Sequence, residues 1–317
     1  MHIVVTGAAG FIGSHTCEQL VARGHRVTGI DAFDDYLYPS DVKRRNAAEL
    51  AGVTMIEGDI CDATLIERAI TDEVDVVCHL AALAGVRPSL AQPRRYVRTN
   101  VEGTTVIVER MRALGLLRLV FASSSSVYGA RAGSSAFRED DPCLHPASPY
   151  AATKRMGELL LSTYRDLFGL GVSALRFFTV YGPRQRPDMA MAKFVDAIRN
   201  DRPITVFGDG TSRRDYTYID DIVAGTVAAI ERVQPAQYEI YNLGGTHTIS
   251  LAELVETIER TIGKKARIER LPDQPGDVPI TYANIDRARA ALGYEPTTRP
   301  EAGIARYWAW LCGRPMP

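Results

Sequence analysis

The sequence predicts an α/β protein built on a doubly wound parallel sheet, on three observations. Apolar, β-branched runs alternate with segments of helical period from residue 2 to about residue 178. The runs are near-continuously apolar, as strands covered on both faces must be. Small, acidic or hydroxyl residues (Gly7, Asp31, Ala81, Ser124, Thr179) follow the strands directly. Those are the carboxyl ends, where open parallel sheets bind ligands.

Residues 2–5 read as the first strand and 14–24 as a helix, with Cys17, Leu20 and Val21 at helical spacing. Residues 26–30 are a second strand ending on Asp31, followed by a polar loop over 34–46 rich in Asp, Tyr and Arg. Strands follow at 53–57, 74–80, 117–122 and 172–178. Helices are predicted over 63–71, from Thr99-Asn100 to Leu114, and from Tyr150 to Phe168. Further on, 203–207 reads as a strand, 220–231 and 251–262 as helices, and 272–279 as a Pro-rich loop. The last helix carries Trp308 and Trp310, read as packing residues.

The turn after the first strand is Thr6-Gly7-Ala8-Ala9-Gly10-Phe11-Ile12-Gly13. Gly7 makes the tight turn, Gly10 lets backbone N–H groups approach a pyrophosphate, and Gly13 lets the helix sit close to the sheet. The helix N-terminus adds free donors and a positive dipole end. Asp31 is placed to accept from ribose hydroxyls. Ala32 and Phe33 follow it, with no Arg to hold a 2′-phosphate, so NAD is expected over NADP. Strand, glycine turn, helix, strand and acidic end make a Rossmann dinucleotide unit. Residues 1–178 are therefore expected to form the NAD-binding domain. Residues 179–317 are expected to form a smaller α/β substrate lobe, some segments of which return to the first domain.

Asp59 either reads an adenine amino group or caps the helix at 63, and both roles are compatible. Ala81-Ala82 keep the backbone open for a ligand. Asn100 either caps its helix or holds a water or a backbone group.

Composition narrows the classes. The chain has 317 residues, 46% apolar and 24% charged, with a net charge of −1. That charge argues against a nucleic-acid or membrane surface, so any anion site is local. No apolar run is long enough to span a bilayer, and the N-terminus enters a strand without a signal peptide. The five cysteines (Cys17, Cys61, Cys78, Cys143, Cys312) form no C-x-x-C pair, which points to reduced thiols in the cytoplasm. The histidines show no metal-ligand spacing, and His79 reads as structural.

Tyr150-Ala151-Ala152-Thr153-Lys154 carries the chemistry. Positions i and i+4 share one helix face. A nearby ammonium favours the phenolate and lowers the phenol's usual pKa of ~10. Tyr150 then serves as a general base for a hydroxyl proton. A serine hydroxyl from Ser123-Ser124-Ser125-Ser126 would bond the same substrate oxygen.

The chain resembles the extended short-chain dehydrogenase/reductase family over nearly its whole length. The motifs are the glycine turn, His79-Leu80-Ala81-Ala82, Thr99-Asn100, the serine run to Tyr128-Gly129, Tyr150 with Lys154, and Arg213-Arg214-Asp215-Tyr216. Within the family it is similar to nucleoside-diphosphate-sugar 4-epimerases, and among these to UDP-glucuronate 4-epimerases. That similarity rests on Arg176-Phe177-Phe178-Thr179-Val180-Tyr181-Gly182-Pro183-Arg184-Gln185-Arg186-Pro187-Asp188-Met189-Ala190 and on Gly276-Asp277-Val278-Pro279.

The resemblance implies a catalytic triad of Ser124, Tyr150 and Lys154. It implies that Phe11, Ile12, Ile60 and Leu80 join Gly7, Gly10, Gly13, Asp31, Asp59, Ala81, Ala82 and Asn100 around NAD. Ser125, Ser126 and Thr179 match positions lining the C5 substituent of the sugar, where hydroxyls can bond a carboxylate. Arg186 and Arg214 match residues near the diphosphate or sugar acid, Phe207 the uracil-binding strand, and Asp277 a substrate position. Two departures stand out. Gln274 occupies the place of an Arg in galactose-type epimerases, and Thr179 the place of an Asn. Ser125-Ser126 replace the Asp-Glu pair of 4,6-dehydratases, so chemistry is expected to stop at C4.

The expected activity is reversible C4 epimerisation of a UDP-sugar with retained NAD, UDP-glucuronate to UDP-galacturonate. The alternatives are UDP-glucose 4-epimerase, a dehydrogenase releasing NADH, and a non-catalytic NAD-sensing protein. The resemblance also implies a homodimer through the Asn100 and Tyr150 helices. Val106, Ile107, Leu159 and Leu160 belong either to that interface or to the chain's own core.

Overall fold

The computed structural model describes residues 1–130, 135–272 and 280–315. Its strands, in chain order, begin with β1 (His2–Thr6), β2 (Arg26–Asp31), β3 (Val53–Glu57), β4 (Val76–His79), β5 (Arg118–Ser124) and β6 (Gly171–Phe177). They continue with β7 (Thr179–Tyr181), β8 (Ile204–Phe207), β9 (Arg213–Tyr218), β10 (Tyr238–Leu243), β11 (Thr248–Ser250) and β12 (Ile268–Leu271). The first helices are α1 (Phe11–Ala22), α2 (Ser40–Ala48), α3 (Ala63–Ala69), α4 (Val86–Ala91), α5 (Pro93–Val97) and α6 (Gly103–Leu114). The rest are α7 (Pro149–Phe168), α8 (Ala190–Arg199), α9 (Ile219–Arg232), α10 (Leu251–Ile262), α11 (Asp286–Leu292) and α12 (Pro300–Leu311).

Seven parallel strands form the main sheet in the order β10-β6-β5-β4-β1-β2-β3. This is the doubly wound Rossmann arrangement, with its order reversing at β1 and β4. The second lobe holds a three-stranded sheet, β11-β9-β7, and a parallel pair, β12-β8. Strand periodicity of two sends alternate residues to opposite faces. Ile3, Val5 and Val120 pack in one apolar core, and Val4, Leu119 and Phe121 in the other. The first core runs on into the second lobe through Phe194, Leu254 and Tyr307.

Several elements differ from the sequence expectation. Helix α1 starts at Phe11, with Gly10 as its N-cap, because the glycine turn feeds it directly. The polar stretch over 34–46 includes the start of α2, where Ser40 N–H donates to Asp35 at 2.5 Å. The helix after β3 is capped by Asp62, which accepts from Thr64 and Leu65, and not by Asp59. The helical path to Leu114 begins at Pro93 and passes through a π-helical turn over Arg98–Glu102, so Asn100 caps nothing. Strand β9 covers the Arg213-Arg214-Asp215-Tyr216 segment. Helix α8 buries Met191, Phe194, Val195 and Ile198, a helical period that the sequence does carry. Strand β10 has Tyr, Glu and Asn among its apolar residues because it forms the sheet edge, and such a strand lacks the apolar run of a central one. Trp308 packs on the core, whereas Trp310 is 40% exposed and stacks on Tyr307. The Pro-rich stretch over 273–279, including Gln274 and Asp277, lies outside the described residues.

Candidate active site

The glycine turn is built by contacts that only hydrogen can occupy. Gly7 has φ +71°, and a Cβ there would lie 2.8 Å from the backbone N of Ala81. A Cβ on Gly13 would sit 2.0 Å from the carbonyl oxygen of Gly7. Gly10 meets only that same oxygen, at 3.1 Å. With Phe11 and Ile12, the three glycines line a cavity of about 690 Å³ at the carboxyl end of the sheet. Asp31 lines it too, oriented by N–H bonds from Ala9 (3.1 Å) and Phe33 (2.9 Å). Burial raises the Asp31 carboxyl, while those bonds and Lys43 pull it down. A glycine cradle at a helix start with an acidic residue at the next strand end fits a dinucleotide diphosphate and ribose.

Asp59, Ile60, Leu80, Ala81 and Ala82 line the same cavity. Asp59 accepts from Cys61 N–H at 2.9 Å and pairs with Arg98 at 2.8 Å. Asn100 does not reach the wall. Its side chain clamps Leu83 in both directions, accepting from the N–H at 2.8 Å and donating to the carbonyl at 2.9 Å. It also donates to Thr153 on α7 at 3.0 Å. Of the alternatives for this residue, the structure has backbone holding. His79 is buried between Thr6 (2.7 Å) and Thr104 (3.0 Å), and burial keeps it neutral with a pKa of about 3.

The serine run ends β5 and turns into a 3-10 turn over Ser125–Tyr128. Ser124 Oγ accepts from Ser126 N–H at 3.2 Å and from Ser126 Oγ–H at 2.9 Å, and its hydroxyl pulls the Tyr150 phenol down. Helix α7 is capped by Ser148 and lies close on β5, since a Cβ on Gly157 would fall 2.5 Å from the Phe121 ring. Ser124, Ser125, Ser126, Tyr150, Lys154, Thr179 and Arg186 all line the cavity.

The expected coupling within the Tyr–Lys pair is not what the side chains display. Burial pushes the Tyr150 phenol up, and the groups pulling it down are Ser124 and the Arg186 guanidinium. Lys154 Nζ donates to the carbonyl of Ala122 at 2.6 Å, and burial lowers it to about 7, against the pull of Glu158. The helical spacing does put both residues on one face, but the nearest acceptor for the ammonium is a strand carbonyl.

Arg186 is held by Asp188 through two bonds, at 3.0 and 2.6 Å. Phe207 and Arg214 lie in an adjoining cavity of about 770 Å³. The two cavities share Arg87, Thr179, Val180, Asp188, Met189 and Ala190, so they are parts of one cleft. Arg87 and Lys43 are among the wall residues that the sequence reading missed. Arg87 stacks over Phe207 at 4.6 Å, bridging the lobes. Its only local signal is its place just after the fourth strand's loop. Lys43 lines the cavity and donates to the Asp34 carbonyl. Among the described residues, no group of three or more His, Cys, Asp or Glu side chains could hold a metal ion.

A Rossmann sheet whose cleft gathers a hydroxyl, a phenol and an ammonium defines a nicotinamide-dependent enzyme that acts on a substrate hydroxyl. Residues 3–244 match the NAD dependent epimerase/dehydratase family, and the chain belongs to it. It is 43% identical to the UDP-glucuronate 4-epimerase of Thermodesulfobacterium geofontis (strain OPF15), over 98% of this chain and 95% of that one. UDP-glucuronic acid 4-epimerase from Bacillus cereus, in complex with UDP-glucuronic acid and NAD, superposes with a TM-score of 0.91. That likeness covers 99% of both chains at 38% identity. UDP-glucose 4-epimerase from Thermotoga maritima, with UDP-glucose, gives the same TM-score over 99% of both chains at 29% identity. Backbone likeness alone therefore does not separate acidic from neutral sugars.

Proposed function

We infer that the protein interconverts UDP-glucuronate and UDP-galacturonate by epimerisation at C4, with NAD retained through the cycle. The observation that carries this reading is the hydroxyl patch of Ser125, Ser126 and Thr179 beside Ser124 and Tyr150 in one cavity. Hydroxyl donors suit a carboxylate, Ser126 turning to it from Ser124, and charge-assisted bonds are the stronger kind. The identity to UDP-glucuronate 4-epimerases supports the same substrate.

In this reading the Gly7–Gly13 turn and Asp31 hold the diphosphate and ribose of NAD. NAD bound there would supply a reversible hydride acceptor for C4. Tyr150 takes the proton of the 4-hydroxyl, Ser124 bonds that oxygen, and Lys154 supports the phenolate. Arg214, Phe207 and Arg87 anchor the UDP while the sugar turns, so that its other face can be presented at the same place. A 4-keto glucuronate is prone to lose its carboxylate. Ser125, Ser126 and Thr179 hold that group out of alignment with the keto π system. Positions 125 and 126 carry no carboxylic acid for C5–C6 chemistry. Asp188, a carboxylate on the same wall as Thr179, is occupied by Arg186.

The division of labour follows the lobes, with residues 1–178 taking NAD, residues 179–317 the nucleotide sugar, and β10 returning to the first sheet. We further infer a homodimer through α6 and α7. Met156 and Leu159 are 48% and 52% exposed on α7, one turn apart. Ile107, in contrast, belongs to the chain's own core, and Val106 and Leu160 pack against it. Among the described residues no helix is long and apolar enough to cross a membrane. The five unpaired thiols support a reducing compartment, the cytoplasm.

The test is an assay with UDP-glucuronate and, separately, UDP-glucose, without added NAD, read by proton NMR at C4. Conversion of the acid alone is expected. Conversion of the neutral sugar in preference would overturn the substrate assignment.

A further inference from the structure

Glu158 lies on α7 one turn beyond Lys154, with its side chain 0% exposed. It accepts from Ser123 Oγ–H at 2.6 Å, from Arg176 Nε–H at 2.8 Å and Nη2–H at 2.9 Å, and from Arg155 at 2.8 Å. Arg176 is 1% exposed, lies 4.7 Å over the Tyr128 ring, and donates onward to the Glu139 carbonyl. Glu158 and Arg176 do not line the cleft. Such a buried pair is poor evidence for stability, since apolar side chains of similar volume often serve as well. A carboxylate retained there calls for another reason.

Its attachments supply one. Ser123 stands between Ala122, whose carbonyl takes the Lys154 ammonium, and Ser124, whose hydroxyl pulls the Tyr150 phenol down. The bond from Ser123 to Glu158 therefore pins the strand end on which both members of the pair depend.

We propose that Glu158 is a positioning residue for the Tyr150–Lys154 pair: its buried negative charge keeps Lys154 an ammonium, and its bond to Ser123 fixes the end of β5 against α7. The proposal rests on the epimerase reading, in which Tyr150 takes the sugar proton. Tyr150 and Glu158 face Lys154 from its own helix, and the neutral His79 faces it from β4. Arg176 faces Glu158 from β6, with Tyr128 and Glu139 beyond it. Tyr238 donates to the Glu158 backbone carbonyl, and Arg155 is 29% exposed, so water screens part of its charge. Burial already draws Lys154 down to about 7 with Glu158 charged, so removing that charge takes it lower still.

The experiment is the kcat–pH profile of the NAD-loaded protein on UDP-glucuronate for wild type, Glu158→Gln and Glu158→Asp. A 13C NMR titration of the lysine ε-carbons accompanies it, with the Lys154 signal assigned from Lys154→Met. Glu158→Gln keeps the shape and an acceptor for Ser123. Its Lys154 titration and the lower break of its kcat–pH profile should both move to lower pH, by about one unit or more, and kcat at the plateau should fall by the same factor. KM should be little changed, and Glu158→Asp should bring both back toward wild type. Because Glu158→Gln leaves Arg176 buried without its partner, the pair Glu158→Gln/Arg176→Gln is measured as well, and the same shift is expected. A wild-type break and titration in either folded variant would overturn the proposal. Wild-type protein that leaves UDP-glucuronate unconverted would defeat the epimerase reading instead, and the NMR titration would still judge the charge coupling.

Discussion

Lys154 donates its ammonium to the carbonyl of Ala122 at 2.6 Å, so the helix that carries Tyr150 is tied to the strand that carries Ser124. Burial opposes charge on both members of the pair, raising Tyr150 and lowering Lys154 to about 7. Turnover needs the phenol to lose its proton while the amine keeps its own, which defines a bell-shaped kcat–pH profile. Because burial puts the phenol above the amine, the lower break of that profile falls at the amine's titration and the upper break at the phenol's. Changing Tyr150→Phe should lower kcat by roughly 10²- to 10⁴-fold or more while NAD stays bound. Stopped assays on the NAD-loaded variant check this, and full activity would sink the base assignment.

Gly13→Ala tests the cradle. Ala is ordinarily the better helix former by about 1 kcal/mol. Here its Cβ would lie 2.0 Å from the Gly7 carbonyl oxygen. Overpacking of this kind costs about 1 to 3 kcal/mol. The variant should melt earlier than wild type and lose its bound NAD on desalting. Denaturation curves and the absorbance of released nucleotide give the answer, and unchanged retention would show that the turn does not hold the cofactor.

Thr179→Ala removes one hydroxyl from the patch that faces the proposed carboxylate. The 4-keto acid should then lose carbon dioxide in a measurable fraction of turnovers. Mass spectrometry of the nucleotide pool should detect a UDP-pentose that wild type does not release. Equal product purity would count against the patch as the carboxylate's restraint.

Leu159→Glu places a charge on the exposed stripe of α7 without touching the cleft. The proposed dimer should dissociate, and light scattering should report the monomer mass. A monomeric wild type would remove the interface altogether.

Much of this molecule is legible in one dimension. Strand runs of Val and Ile and the Gly7–Gly13 turn reveal the Rossmann sheet, because close approach and double-sided burial leave few residue choices. The second lobe is less legible. Strands β7, β11 and β12 have 3, 3 and 4 residues, too short for a period, and β10 returns to the first sheet across about sixty intervening residues. Asn100 shows the same limit within the site. Its sequence neighbours suit a helix start, whereas the π-helical turn buries it against Leu83.

By itself, then, the sequence determined the sheet, the dinucleotide turn, and the residue types that can move a hydroxyl proton, since these depend on local spacing and side-chain chemistry. Tertiary structure alone decided that Lys154 turns to Ala122, that Arg186 is the cation acting on Tyr150, and that Arg87 meets Phe207. Those are contacts between distant segments, and burial and geometry set their strength, neither of which can be read from spacing along the chain.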